Sequence, residues 1–133
     1  MEKTDQMQRT KTFALRAVRL AENLPHSVAG EVFGKQLLRC ATSVAANYRA
    51  ACRGKSEQDF LAKLKICEEE ADESLFWLEM IVESGMMPEA KMADLLSEAR
   101  QLSAIITAAC KTTGAKLRLA SSSSPRGKAA RTS

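Results

Sequence analysis

Four long stretches of this chain return an apolar residue at every third or fourth position, and proline or glycine separates each stretch from the next. That spacing keeps one face of an α-helix apolar, while the alternation that a half-buried strand requires is absent. In the first stretch, Thr4 to Asn23, the stripe is Phe13, Ala17, Leu20, Ala21 and Leu24, and Pro25 stops it. The second starts at Ser27 or Gly30 and runs to Arg53, with Phe33, Leu37, Ala41, Val44, Tyr48 and Ala51 on one face. The third, Ser56 to Glu83, carries Phe60, Leu64, Cys67, Ala71, Leu75, Leu78 and Val82, and Gly85 ends it. The fourth follows Pro88 and runs to about Thr112 through Met92, Leu95, Ala99, Leu102, Ile106 and Ala109, with Gly114 as its expected cap.

Four amphipathic helices with short connections predict an all-α, antiparallel up-down-up-down four-helix bundle over residues 1–113. Residues 114–133 are Ser-rich, basic and poor in large apolar side chains, and are expected to form a disordered tail. At 133 residues one domain can bury a real core. No run of about eighteen apolar residues occurs, so no membrane span is expected. The polar start of the chain lacks the apolar centre of a secretory signal, which points to the cytoplasm.

Chemistry-bearing motifs are scarce. Gly54-Lys55-Ser56 resembles the close of a phosphate-binding loop, yet Arg49 stands where that loop needs its first glycine, and no strand precedes it. The helical alternative has a helix ending near Arg53, Gly54 in a left-handed cap position, and Ser56 capping the next helix. A di-iron bundle needs Glu-x-x-His on two helices, whereas the one histidine, His26, lies in a connection. Cys40, Cys52, Cys67 and Cys110 form no C-x-x-C pair and read as small buried apolar residues. No catalytic elbow or Cys/His pairing stands out. The expectation is a protein without enzymatic activity, metal or cofactor.

Charge is strongly segregated. Residues 1–53 carry +5, residues 54–100 carry −7 and residues 101–133 carry +6. Such a division suits a polyanionic partner or the pairing of opposite faces between copies. Arg9, Arg16, Arg19, Lys35, Arg49, Arg53, Lys116 and Arg118 are the candidate nucleic-acid contacts, with Arg126, Lys128 and Arg131 in the tail. The simpler alternative pairs these cations with acidic neighbours. Opposite the second helix's core stripe lie Arg39, Ser43, Ala46, Asn47 and Ala50, small enough for another helix to come close. Arg39, Ser43 and Asn47, with Glu69 and Glu73 of the acidic third helix, are the candidate subunit contacts. Tyr48 and Trp77 fall in helical stripes, leaving few aromatic rings to stack on bases.

Residues 37–87 also carry a recognisable pattern: Arg39, then Ser43-Val44 with Asn47, then Lys55-Ser56, Asp59-Phe60, and a glutamate-rich helix from Glu69 to Glu79. In this it resembles the bacterial four-helix-bundle proteins first noticed as products of intervening sequences in 23S ribosomal RNA genes. Many relatives read Asn-Ile-Ala-Glu-Gly where this chain reads Asn47-Tyr48-Arg49-Ala50-Ala51, which suggests a subfamily. The resemblance implies a homopentameric ring without known enzymatic activity. A similar protein is the accessory variability protein of diversity-generating retroelements, whose basic surface engages nucleic acid and a reverse transcriptase. By that resemblance, RNA, DNA or a reverse transcriptase are the expected partners.

Overall fold

The computed structural model describes residues 3–123. Four α-helices follow in order: α1 (Lys3–Glu22), α2 (Val28–Cys52), α3 (Glu57–Glu83) and α4 (Glu89–Ser123). Among the described residues there is no strand. The chain passes up and down as an antiparallel bundle in which α2 packs on α1 and α3, and α3 on α4. The α1–α4 contact that closes the circuit is much the slightest.

Local chemistry fixes the boundaries. Ser27 adopts extended backbone and its hydroxyl accepts the Gly30 N–H at 3.0 Å, so α2 begins at the earlier of its two expected starts. Ser56 caps α3 in the same manner, accepting the Asp59 N–H at 3.1 Å. The Asp59 carboxylate reaches back one residue further, accepting the Lys55 N–H at 3.3 Å. A carboxylate thus takes a backbone N–H that a phosphate-binding loop would offer to its ligand, and the Gly54-Lys55-Ser56 segment is a helix–helix connection. At the far end of α3, Met86 N–H donates to Ile81 and Gly85 N–H to Val82 while Gly85 turns to φ +78°. That pair of bonds is a Schellman ending, which the Gly85 position had indicated.

Two glycines depart from expectation. Gly54 is not left-handed, since Gly85 alone has positive φ among the described residues. Glycine suits the crowding instead: a Cβ there would stand 3.1 Å from both the Ala51 carbonyl oxygen and Asp59 Cβ, closer than side chains ordinarily pack. Gly114 does not end α4, which runs on for nine more residues. A single glycine costs an exposed helix about 1 kcal/mol, and Thr113, buried against the bundle, together with the Lys116–Glu57 ion pair (3.7 Å), holds the turn on either side in place. The expected boundary at residues 113/114 is therefore corrected to a helix through Ser123; the rest of the expected tail, residues 124–133, lies outside the described residues.

The core forms two clusters. Phe13, Leu24, Leu37, Leu78, Ile81, Met92, Leu95 and Leu102 fill one end. Val44, Tyr48, Phe60, Leu64, Cys67, Ile106 and Cys110 fill the other. The stripes are those of the sequence, rotated slightly. Leu75 and Val82 of α3 are only half-buried, and Ser74 and Ile81 take the centre. Cys67 donates its S–H to the Val44 carbonyl across the α2–α3 interface (3.6 Å). Cys40, Cys67 and Cys110 are buried as expected, but Cys52 is half-exposed. Burial pushes the Cys67 thiol up to about 12, so it stays protonated and inert.

Candidate nucleic-acid and assembly surfaces

The antiparallel course gathers the start of α1, the end of α2, the start of α3 and the end of α4 at one end of the bundle. Three of these four segments are basic, so Lys3, Arg49, Arg53, Lys55, Lys111, Lys116 and Arg118 converge there. Of these, only Lys116 has a carboxylate partner among the described residues. Lys3 lies 4.1 Å above the Phe60 ring, a cation–π contact. At 35 residues α4 is roughly 52 Å long, about 12 Å longer than α3 at 1.5 Å per residue. Seven residues beyond Lys116 therefore project past the first turn of α3, carrying Arg118 and the exposed Leu119.

Not every expected phosphate contact belongs to this group. Arg9 is committed elsewhere: Nε and Nη2 donate to the two Glu98 carboxylate oxygens at 2.8 and 2.7 Å, and Nη2 also to Gln101. The pair is about four-fifths buried and ties α1 to α4. The hydrogen bond from Arg9 draws the Glu98 carboxyl below its ordinary value. Its stabilisation is thus complete above the unfolded carboxyl's pKa and is lost as pH falls through the depressed folded value. Glu98→Gln should accordingly remove about 1 kcal/mol at neutral pH and flatten the acid limb of a stability-versus-pH curve measured by urea unfolding. An unchanged acid limb would mean that the pair contributes nothing. Arg16 and Arg19 lie further along α1, and Lys35 sits with Glu22 and Glu31 in a shallow groove near the opposite end.

The candidate subunit contacts are placed on one outer face of α2 and α3. Arg39 is engaged within the chain, bonded to Gln36 and Glu70 (both 3.2 Å) and ion-paired with Glu73. Glu73 in turn accepts the Trp77 indole N–H at 3.3 Å. Asn47 donates to the carbonyl and hydroxyl of Ser43 at 2.9 Å. Glu69 is exposed and has no ion pair among the described residues.

Two features escaped the sequence reading. Trp77 is only half-buried, and its ring meets Phe33 at 5.6 Å and Phe76 edge-on at 5.0 Å. Phe76 is 49% exposed, so an aromatic cluster does reach the surface. The second feature is a groove of about 570 Å³ between α1 and α2, floored by Met7, Ala14, Ala45 and Ala46. Lys11, Arg49 and Arg53 stand in its walls, and no carboxylate lines it. Its small residues were visible in the sequence, but which neighbour left them uncovered was not.

Among the described residues no three His, Cys, Asp or Glu side chains converge as metal ligands, and no helix is long and apolar enough to cross a membrane. No curated protein matches the chain. A crystal structure of a protein of unknown function from the S23 ribosomal protein family of Bacteroides thetaiotaomicron is similar, with 28% identity and a TM-score of 0.76. The likeness covers 84% of this chain and 99% of that one. The profile of the 23S rRNA-intervening sequence proteins matches residues 2–108, nearly the whole bundle. With that profile spanning four-fifths of its length, the chain belongs to the 23S rRNA-intervening sequence protein family.

Proposed function

We propose that this chain is a non-enzymatic, self-associating cytoplasmic module that holds nucleic acid, bare or within a ribonucleoprotein, through the basic end of its bundle. The supporting observation is the convergence of seven cations from four helix termini with a single carboxylate partner among them. Unpaired surface cations attract phosphates and release counterions on binding, without reading base identity. A reverse transcriptase is a partner class the family resemblance supplies. Ring closure into a pentamer rests on the same resemblance, and would multiply weak single-chain contacts through avidity.

A scaffold reading, in which charge serves assembly alone, draws on the Arg9–Glu98 and Arg39–Glu70/Glu73 pairs. Titration of labelled RNA and duplex DNA at several salt concentrations decides between the two. The expected result is binding at low salt that weakens about a thousandfold or more between 50 and 200 mM, as for six or more phosphate contacts. Arg53→Glu with Lys55→Glu should weaken it further, while Arg9→Gln leaves it unchanged. Absence of binding at low salt leaves the scaffold reading.

A further inference from the structure

We infer that the α1–α2 groove receives the outer ridge of α3 from a second copy of this chain, giving the self-association proposed above its two faces. The groove extends from Thr4 to Ala14 along α1, about 15 Å of helix, and is lined by cations, hydroxyls and methyl groups. On α3, Ile66, Glu69, Glu73 and Phe76 fall at successive three- and four-residue steps and form a straight ridge, also about 15 Å long. Ile66 and Phe76 are two of the few large apolar side chains left exposed, at 39% and 49%. Between and beside them, Glu69 and Asp72 are exposed and unpaired among the described residues.

The two surfaces are complementary in shape and sign. Alanines in the groove floor allow a helix to approach closely, and apolar knobs ten residues apart match its length. Lys11 and Arg49 face the incoming carboxylates, while Lys55 and Arg118 at the end of the bundle stay available to phosphate. The two surfaces belong to different sides of the molecule, because α1 and α3 stand diagonally across the bundle and their backbones are not neighbours. A groove and ridge on different faces form a head-to-tail interface, which propagates until it closes.

Light scattering on the full chain at micromolar concentration, with circular dichroism to verify the fold, tests this. Wild type is expected to be oligomeric. Ala46→Trp fills the groove at an exposed position and should reduce the mass to that of one chain, as should Lys11→Glu/Arg49→Glu and Glu69→Lys/Asp72→Lys. Combining all four reversals in one chain restores complementarity and should restore the assembly. A monomeric wild type overturns self-association and this interface together. An oligomeric wild type whose mass all three variants leave unchanged overturns the interface alone, as does failure of the fourfold variant to reassemble. If Ala46→Trp abolishes RNA binding without altering mass, the groove belongs to nucleic acid and the inference is wrong.

Discussion

Leu78→Ala is expected to destabilise the bundle by about 2–5 kcal/mol, the range for truncating a fully buried leucine. Leu78 has no exposed surface and belongs to the cluster that joins α1, α2 and α4 through Phe13, Leu37 and Leu95. Leu64 is equally buried but lies in the other cluster, beside Val44, Tyr48 and Ile106. The two sites are nearly four helical turns apart with different neighbours, so the double variant should lose close to the sum of the single losses. Urea unfolding of the three proteins measures this. A loss below half a kcal/mol at either site would place that part of the α3 stripe on the surface. A strongly sub-additive double variant would show the two clusters collapsing into one another.

Gly30→Ala should be the next most damaging change, at about 1–3 kcal/mol. An added Cβ would overlap the Pro25 carbonyl oxygen and press on Ser27 Oγ. Backbone on the far side cannot swing away as a side chain can, so the α1–α2 connection must shift and the Ser27 cap loosens with it. Gly114→Ala is the contrasting experiment. There the nearest atom is the guanidinium end of Arg118 at 3.4 Å, which is free to move. Relieving a glycine within the helix should stabilise by up to about 1 kcal/mol. Thermal unfolding of both variants gives opposite shifts in Tm. A stabilising Gly30→Ala would mean that the connection does not make the tight approach seen here.

Sequence reading reached the elements whose determinants are local. Ser27, Ser56 and Gly85 act on atoms within five residues of themselves, so their roles follow from the chain order. Core stripes follow from helical periodicity, with an error of one position because Ser74 and Leu75 differ by only 100° around α3. Arg39 is a different case. Its ties to Glu70 and Glu73 depend on how α2 and α3 are placed side by side, which no single helix encodes. Arg9 required the same knowledge across eighty-nine residues. Trp77 was read as part of a helical stripe, yet it stands about 100° around α3 from Leu78; it sits at the rim of the α2–α3 contact, where Phe33 packs beside its ring and Phe76 remains open. Gly114 misled because glycine after a helical run commonly signals an ending, while Thr113 and the Lys116–Glu57 pair act from outside the local sequence.

The gathering of cations at one end has a counterpart at the other, where Glu22, Glu31, Glu79, Glu83, Glu89 and Asp94 outnumber Arg19, Lys35 and Lys91. The bundle is therefore an electric dipole along its long axis, several tens of ångströms from pole to pole. In the field of a polyanion such a molecule feels a torque before it feels contact, and it turns its positive pole forward while still a Debye length, roughly 8–10 Å, away. Encounters would then be end-on and fast at low ionic strength, and added salt would slow arrival as well as weaken the complex. Copies bound along one nucleic acid would all point the same way, acidic poles outward, presenting to the solution a surface opposite in sign to the one that found the target.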